Sequence, residues 1–362
     1  MEQALFLGKE ARPSWLRFYD MDFIKKSAEF DLIGLGEVML RLSPPDKEKI
    51  SQSEIFEKNC GGSEFNVTSG AANLGIRAAV VTKLPKNKLG HYIARRIRYG
   101  TVSDDYVVWD HSENKRLGSY YYESGVYPRK SAVVYDRAAA SVCSLDISEI
   151  PEDIYGKTRI FHFSSISLAL GSTLRATTLA VMKKMKEQGV AISFDVNYRA
   201  TLWSEEEARE VVTSILPLVD ILFVSEETSR RMMRKTGTLD EIMKSYVDEY
   251  GCKLVATTRR EAVSPTRHNF GSRIYYDGKF YEEPHYKGIE VIDRVGSGDA
   301  YVAGVLYGLL TGNDVARAMS YGNALSAIKN TVSGDMSISS IDEVDSVIAS
   351  HRATGKQDEM VR

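Results

Sequence analysis

A short turn between an apolar stretch and a helix carries the residues best placed to do chemistry in this sequence. It reads VIDRVGSGDAYVAG and places Gly296, Ser297 and Gly298 directly before a mainly apolar helix. Glycines permit backbone geometry that a side chain forbids, so successive amides can point into one small space. Because the positive end of the helix faces that space, the segment predicts an anion-binding site.

Asp299 is the exception in this turn, because a carboxylate would repel a bound phosphate unless it acts on the group that attacks the phosphorus. We therefore interpret Asp299 as a base for a substrate hydroxyl. The alternative is that its charge only stabilises the first turn of the helix. The pattern of two glycines and an aspartate does not by itself separate these two interpretations.

The elements that must position this turn alternate between apolar strands and helices. We predict strands at 32–36, 78–82, 106–109, 160–164, 191–195, 221–224 and 254–257, and helices that include 91–99, 173–188, 314–329 and 341–350. This alternation predicts an α/β fold with a doubly wound, mainly parallel sheet, which binds ligands beyond the carboxyl ends of its strands. Gly61, Asn197 and Asp299 all fall at such ends.

Shorter signals refine this outline. Ser204 and Glu207 predict a capping box, and Asp277 with Gly278 predicts a hairpin turn. Residues 116–137 differ in composition from the rest of the chain. Their tyrosines and valines, separated by glycine and proline, predict an inserted sheet. Such an insertion could cover a substrate as a lid or pair with a second copy of the chain. The alternative is an exposed ribbon with no role in a site.

The composition excludes several classes of function. The 362 residues include 47 Lys and Arg against 49 Asp and Glu, a net charge of −2 without a strongly basic block, so we expect no nucleic-acid partner. Cys60, Cys143 and Cys252 are few and far apart, which argues for a reducing compartment and against a zinc site. Because no apolar run approaches the ~18 residues of a membrane span and no signal-peptide pattern is present, we expect a cytoplasmic protein.

Two motifs resemble signatures of the ribokinase-like (PfkB-type) carbohydrate kinases. DRVGSGDAYVAG is similar to the family's carboxy-terminal DTxGAGD signature, and GGSEFNVTSGAANLG at 61–75 is similar to its amino-terminal glycine signature. The resemblance implies a ribokinase-like fold, with helices on both faces of the sheet and a small β lid, that phosphorylates a sugar with ATP and Mg²⁺. It also implies that Asp299 is the catalytic base. The amides of Gly296, Ser297 and Gly298 would stabilise the transferring phosphoryl group.

Further matches indicate the substrate. In the amino-terminal signature, Gly62 would let the substrate approach the backbone and Asn66 would bind a hydroxyl; the alternative is a plain turn and helix start. DVNYRATLW at 195–203 is similar to the DxNxRxxLW stretch of 2-keto-3-deoxygluconate kinases, as are GEVMLRLSPP and YDR elsewhere in the chain. This resemblance implies that an acid sugar is held by Tyr120, Tyr135, Arg137 and Arg199. An arginine fork matches a carboxylate, whereas the alternative for Arg199 is a surface pair with Glu205 or Glu206.

The sequence departs from the family in three places. Arg294 replaces the usual threonine, the NxxE metal-phosphate motif reads SEET at 225–228, and the TxGxxG nucleotide segment reads TTRREA at 257–262. Apart from Thr258, metal and nucleotide contacts of the last two segments are therefore not carried over. The resemblance still implies nucleotide contacts from Thr258, Gly296, Gly298 and Asn323. It also implies a monovalent cation such as K⁺ near Asp293.

The sequence therefore predicts an ATP-dependent kinase for 2-keto-3-deoxygluconate or a related sugar acid. We expect an extension at 1–30, a kinase domain at 31–350 with lid segments around 38–58 and 116–137, a polar tail at 351–362, and a homodimer formed through the lid. The alternatives are a kinase for a neutral sugar, such as fructose or ribose, or for a nucleoside, and a non-catalytic sugar-binding relative. A dinucleotide oxidoreductase is disfavoured because no GxGxxG opens a helix after the first strand.

Overall fold

The computed structural model describes residues 21–264, 266–312 and 314–353. Most of the predicted extension, residues 1–20, and most of the predicted tail, residues 354–362, therefore lie outside the described residues. In the part that is described, no helix combines the length and the hydropathy needed to cross a bilayer.

Fourteen strands and ten α-helices occupy the described residues. The strands are β1 (Phe30–Leu35), β2 (Met39–Ser43), β3 (Glu57–Gly61), β4 (Ala78–Pro85), β5 (Val107–Asp110), β6 (Ser119–Glu123), β7 (Ala132–Asp136), β8 (Thr158–Ser164), β9 (Ala191–Asp195), β10 (Ile221–Phe223), β11 (Leu254–Ser264), β12 (Arg267–Tyr276), β13 (Lys279–Glu282) and β14 (Tyr286–Glu290). The helices are α1 (Ser63–Asn73), α2 (Lys88–Tyr99), α3 (Ser165–Ala169), α4 (Ser172–Glu187), α5 (Glu205–Ile215), α6 (Glu226–Arg231), α7 (Leu239–Tyr250), α8 (Ser297–Gly312), α9 (Val315–Asn330) and α10 (Ile341–Ala353).

The main sheet has the order β13-β12-β11-β10-β9-β8-β1-β4-β5, with β14 also paired to β12. From β11 to β5 every pair of neighbours is parallel, and the antiparallel pairs are those that β12 makes at one edge. Because parallel strands are covered by helices on both faces, their sequences are nearly continuous apolar runs, as in FDLIGL of β1. The predicted doubly wound α/β fold is confirmed.

Two hydrophobic cores lie on the two faces of this sheet. One contains apolar residues of α1, α8 and α9, and the other contains those of α4, α5 and α7. Local signals fix where the helices begin: the Ser204 hydroxyl accepts the amide of Glu207 at 3.1 Å at the start of α5. The predicted turn at Asp277 and Gly278 joins β12 to β13, and both residues have positive φ, as a tight hairpin turn requires.

A separate small sheet has the order β3-β2-β6-β7. Its strands β2 and β6 are parallel, and β3 and β7 pair antiparallel on the two outer sides. The predicted inserted sheet is therefore present, and the segment after β1 contributes half of its strands. Residues of β2, β6 and β7 contribute to the wall of a large cleft above the main sheet, so this sheet positions part of the site.

Candidate active site

A cleft of about 800 Å³ lies between the carboxyl ends of the parallel strands and the small sheet. The structure brings together in this cleft most of the residues that the sequence predicted for a site. Those that line it are Gly62, Asn66, Tyr120, Tyr135, Arg137, Arg199, Thr258, Gly296, Ser297, Gly298 and Asp299. Ligands bind at this edge of open α/β sheets because loops and helix N-termini converge there.

The glycine turn before α8 forms one wall of the cleft. Gly296 has φ of +80°, and a Cβ at this residue would lie 1.9 Å from the carbonyl oxygen of Asp335. A Cβ at Gly298 would meet nothing within 4 Å, so this residue faces open space. The first amides of a helix lack partners within the helix, so the turn and the N-terminus of α8 together present donors to an anion.

Asp299 lies in the first turn of α8 and is buried. Its Oδ2 accepts a hydrogen bond from Asn66 Nδ2 at 2.7 Å, and its Oδ1 accepts one from the Ser63 hydroxyl at 3.0 Å. Asn197 Nδ2 in turn donates to the Ser63 hydroxyl oxygen at 3.1 Å. Burial raises the pKa of Asp299 to about 6, although the hydrogen bonds from Asn66 and Ser63 oppose this. The carboxylate is therefore largely ionised at neutral pH and more basic than an exposed aspartate.

A second carboxyl group faces the same part of the cleft. Asp195, at the end of β9, has its pKa raised to about 8 by burial and by the charge of Asp299. The Arg199 guanidinium lowers the pKa of both aspartates, which places its charge close to them. Two carboxyl groups and one arginine thus share the space where a substrate hydroxyl would meet the anion site.

The two predicted arginines have different surroundings. Arg137 is buried and forms an ion pair with Glu37. Arg199 is exposed, and its Nη1 donates to the carbonyl oxygen of Tyr198 at 3.2 Å. Its suggested partners are engaged elsewhere, because Glu205 pairs with Arg231 and Glu206 with other arginines. Of the two, only Arg199 keeps its positive charge uncompensated by an ion pair within the described part of the chain.

Two tyrosines of the small sheet pair with each other at the cleft. Tyr120 and Tyr135 are cross-strand neighbours on β6 and β7, with ring centroids 5.7 Å apart. The Tyr120 hydroxyl donates to the carboxylate of Asp335. The Arg137 guanidinium lies 5.3 Å from the centroid of the Tyr135 ring. These contacts hold the rings of Tyr120 and Tyr135 in a fixed position relative to the glycine turn.

Three further arginines line the cleft together with Thr258. Arg259, Arg260 and Arg294 line it, and none of them forms an ion pair with another described residue. Partial burial and the nearby charge of Arg294 lower the pKa of Arg260. Uncompensated guanidinium groups that repel one another indicate a site for an anion such as a polyphosphate.

The segment that departs from NxxE forms a local cap in the structure. The Ser225 hydroxyl accepts the amide of Thr228 at 3.0 Å and donates to the Thr228 hydroxyl at 2.8 Å, so both side chains start α6. Glu226 pairs with Arg230 at 2.7 Å. Glu227 lines the cleft near Arg260. The negative charge of Glu227 partly opposes the lowering of the Arg260 pKa. Of the acidic side chains in this segment, Glu227 is thus the one that faces the cleft without a hydrogen bond to a described residue.

Two predicted residues do not line the cleft. Asn323 is completely buried within α9, and its Nδ2 donates to Glu283 at 2.7 Å. Asn323 is not among the residues that line the cleft, and its nucleotide contact stays a prediction. Asp293 is also buried, and Arg41 forms an ion pair with it at 2.6 Å. A cation at Asp293 would have to displace this guanidinium.

The comparison with known families agrees with the residues in the cleft. A family model described as "pfkB family carbohydrate kinase" matches residues 30–342. The chain belongs to the pfkB family of carbohydrate kinases. The match covers both glycine motifs and all the strands of the main sheet, so the predicted family membership and carbohydrate kinase activity are confirmed.

Individual relatives of this kinase carry related names. The chain is 36% identical over 318 residues to a 2-dehydro-3-deoxygalactonokinase of Haloferax volcanii, covering 88% of this chain and 96% of the relative. It is similar to the crystal structure of 2-dehydro-3-deoxygluconokinase from Thermotoga maritima, with a TM-score of 0.84, 34% identity, and 88% and 98% of the two chains covered. A putative 2-keto-3-deoxygluconate kinase from Enterococcus faecalis gives a TM-score of 0.83 at 25% identity, covering 92% and 100%. The ribokinase-like fold is thereby confirmed.

Several residues of this site were missed by the sequence analysis. The buried side chains Arg41, Lys329 and Asp335 meet beneath the glycine turn, although Arg41 and Asp335 are 294 residues apart in the chain. A signal for two of them was present, because Arg41 interrupts the apolar β2 and Lys329 lies in the last turn of the largely buried α9. A charged residue in an apolar element predicts a buried partner, but the sequence does not say which.

Proposed function

We propose that this kinase transfers the γ-phosphoryl group of ATP to the terminal hydroxyl of 2-keto-3-deoxygluconate or a closely related keto-deoxy sugar acid. The observation that carries the proposal is the uncompensated Arg199 guanidinium beside the buried base Asp299. Such an arrangement suits a substrate that bears both a carboxylate and a reactive hydroxyl. The three relatives described above are named as kinases of keto-deoxy sugar acids, which supports the same substrate class.

Asp299 acts as the general base of the reaction. Its carboxylate is held by Asn66 and Ser63, so an oxygen lone pair faces the hydroxyl in a fixed direction. The hydroxyl proton passes to Asp299 as the oxygen attacks the γ-phosphorus, and the bond from that phosphorus to the bridging oxygen of ADP breaks. Phosphoryl transfer depends mainly on positioning and charge compensation, so a base of moderate strength is sufficient.

The turn before α8 stabilises the charge on the transferring group. The amides of Gly296, Ser297 and Gly298 and the N-terminus of α8 supply donors that need no reorganisation during the reaction. The Asn66 side chain and the backbone of Gly62 hold the sugar next to Asp299. Gly62 is required for a further reason, because a Cβ there would lie 2.0 Å from the carbonyl oxygen of Glu37.

The nucleotide occupies the end of the cleft near Thr258. Arg260 and Arg294 neutralise the polyphosphate, so the cleft offers positive charge to the nucleotide although the NxxE and TxGxxG segments are altered. Mg²⁺ enters with ATP, and Glu227 is the carboxylate of the SEET segment that is available to hold it. Mg²⁺ compensates the negative charge of the phosphates.

The small sheet acts as a lid and also as a dimer interface. On β7, Val133 and Tyr135 line the cleft, so the alternating side chain Val134 points to the opposite face. There Val134 lies opposite Tyr121, whose ring packs 5.7 Å from that of Phe56. Val134 is 53% exposed and β7 is an edge strand. An exposed apolar face next to an open edge favours pairing with a second copy.

We also propose that the kinase works in the cytoplasm. ATP supplies its phosphoryl group, and Cys60, Cys143 and Cys252 are all free thiols. Thiols persist in a reducing compartment.

A kinase for a neutral sugar is the second candidate, and the Glu37–Arg137 ion pair favours it. Because Glu37 already compensates Arg137, this arginine would need to exchange partners before it bound a substrate carboxylate. Glu37 Oε1 and Arg137 Nε are buried without a hydrogen-bond partner among the described residues, so both can bind sugar hydroxyls. A non-catalytic sugar-binding protein is disfavoured because Asp299 is present and ionised in the cleft.

A substrate panel tests the proposal. ADP release by the purified protein is measured with ATP and Mg²⁺ and with keto-deoxy sugar acids, hexoses, pentoses and nucleosides in separate reactions. We expect the highest kcat/KM with a keto-deoxy sugar acid. A higher value with a neutral sugar would transfer the assignment to the second candidate.

A further inference from the structure

The glycine turn rests on a buried group of charged side chains beneath it. Arg41 Nη2 lies 2.6 Å from Asp293 Oδ2, and Arg41 Nη1 lies 2.6 Å from Asp335 Oδ1. Asp293 Oδ2 also accepts the Gly334 amide at 3.1 Å, and its Oδ1 accepts the Val295 amide at 3.0 Å. Both carboxylate oxygens of Asp293 are therefore occupied by donors from the protein itself.

Lys329 supplies a second cation to this group. It is the largest charged side chain among those with less than 2% exposure, and its Nζ donates to the carbonyl oxygens of Asp293 at 3.2 Å and Val332 at 3.0 Å. Burial lowers the pKa of Lys329, and the charges of Asp293 and Asp335 oppose this effect. An ammonium held by backbone carbonyls has the kind of oxygen ligands that bind a dehydrated monovalent cation.

A free monovalent cation does not fit this place. Each oxygen of Asp293, including the backbone carbonyl, already receives a donor, and an added ion would meet the positive charges of both Arg41 and Lys329. The cation that the sequence predicted near Asp293 is therefore not accommodated by the residues present. The positive charge at this position belongs to the chain.

We infer that the Lys329 ammonium is a fixed cation that orders the anion-binding turn, so that turnover does not depend on an added monovalent cation. Lys329 joins the backbone of Asp293, which begins the turn, to that of Val332 on the segment leading to Asp335. The carbonyl of Asp335 packs against Gly296. Lys329 is thus a positioning residue for the turn, and this inference rests on the proposed function of that turn.

The wild-type enzyme gives the first test. Turnover is measured with K⁺, Na⁺ or ammonium as the chloride salt and with choline chloride at the same ionic strength. We expect the same kcat and the same KM for ATP in all four salts. Saturable activation by K⁺ over choline would overturn the inference, and this test uses the wild-type fold without any substitution.

Two substitutions of Lys329 give the second test. Lys329→Met fills most of the space without the charge, and Lys329→Ala leaves room for an ion. We expect both to lower kcat by ~10-fold or more, as expected when a preorganised charge is lost at a phosphoryl-transfer site, and we expect K⁺ or ammonium to restore part of it in Lys329→Ala only. The exposed Lys253→Ala is the matched control. Full turnover in Lys329→Met would overturn the inference.

A binding measurement separates this inference from the choice of substrate. The melting temperature is followed as K⁺ replaces choline, which requires no catalysis. We expect K⁺ to raise the melting temperature of Lys329→Ala saturably and to leave the wild type unchanged. Stabilisation of the wild type by K⁺ would contradict a fixed cation, even if the substrate panel returned a neutral sugar.

Discussion

Burial and hydrogen bonding act on the Asp299 carboxylate in opposite directions. Burial destabilises its charged form, whereas Asn66 and the Ser63 hydroxyl donate to both oxygens, and the result is a pKa of about 6. A base with this pKa is ionised at neutral pH and accepts a proton more readily than an exposed aspartate. The same burial carries a cost in folding stability, because the folded state retains a charge that water would solvate better.

Replacing Asp299 with asparagine separates catalysis from stabilisation of the helix. Asp299→Asn keeps the shape but removes the base, so we expect kcat to fall by ~10²–10⁴ and the melting temperature to stay the same or rise. Asp342→Asn is the matched control, because Asp342 also lies in the first turn of a helix, α10, and is exposed. Near-normal turnover in Asp299→Asn would support the alternative that this carboxylate only stabilises α8.

The pH dependence of the reaction follows from the same pKa. Asp299 must be ionised to accept a proton, so kcat/KM should rise with pH through about 6 and level off above it. The raised pKa means that stability changes in the opposite direction: the folded state holds this proton more tightly than the unfolded state, so ionisation of Asp299 lowers stability as the pH rises towards 6. A profile of kcat/KM against pH checks the predicted rise in rate. A midpoint near the ordinary value of 3.8 would contradict it.

The proposed role of Arg199 in holding a substrate carboxylate is tested by replacing this one side chain. Removing one member of a desolvated charge pair costs roughly 2–5 kcal/mol. Arg199→Ala should therefore lower kcat/KM for the sugar acid by ~10²–10³ at least, and Arg199→Lys should recover only part of it because a point charge replaces a fork. Arg209→Ala, which loses a surface pair with Glu206 at 3.4 Å, is the control. Equal losses for acid and neutral sugars would remove Arg199 from carboxylate recognition.

At the scale of elements, the proposed polyphosphate site is divided between β11 and the turn before α8. Arg260 belongs to β11, and Arg294 belongs to the turn; both face the cleft. A hydrogen bond to a charged group contributes about 1.5–3 kcal/mol, so Arg260→Ala and Arg294→Ala should each raise KM for ATP by ~10-fold or more, with a smaller effect on KM for the sugar. Arg267→Ala on β12, which loses an exposed pair with Glu290, is the control. An unchanged KM for ATP in both variants would remove these arginines from the nucleotide site.

The elements that were predicted well are those whose local signal and tertiary role agree. The apolar runs of β1, β8 and β9 are buried on both faces, and their predicted positions were correct. β12 and β14 were not predicted, because their sequences mix polar, aromatic and apolar residues without a regular alternation. Such mixed sequences at an antiparallel edge of the sheet give little periodic signal.

The residues of the candidate site also differ in how well the sequence predicted them. Asp299 and the glycine turn were found because their chemistry is local, with all residues in one stretch. The contacts of Arg41 with Asp335 and of Lys329 with Asp293 join separate parts of the chain, and no spacing rule predicts them. Asn323 has no such local signal: it is buried in α9, its Nδ2 donates to Glu283 and its Oδ1 has no partner among the described residues, so its nucleotide contact stays a prediction.

At the scale of the whole molecule, the cleft lies between a large rigid sheet and a small sheet. The small sheet contributes residues to the cleft on one face and exposes an apolar face on the other. If the exposed face pairs with a second copy of the chain, the same strands both join the two chains and cover the substrate. The oligomeric state therefore bears on how the cleft is closed.

The dimer is tested by light scattering. The wild type should have at least the mass of a dimer at micromolar concentration, and Val134→Lys should shift it towards the monomer because a charge enters an apolar contact. Val263→Lys, which places the same charge on an exposed valine of β11, is the control. A monomeric wild type would leave the small sheet with its role at the cleft alone.

The most direct test of the central claim is the identity of the phosphorylated product. The purified kinase is incubated with ATP, Mg²⁺ and an equimolar mixture of 2-keto-3-deoxygluconate and fructose, and mass spectrometry follows the transfer of phosphate to each sugar. We predict that the phosphate appears on the sugar acid first and that Asp299→Asn abolishes most of this product under the same conditions. Phosphate on fructose alone, or unchanged product formation in Asp299→Asn, would contradict a sugar-acid kinase that uses Asp299 as its base.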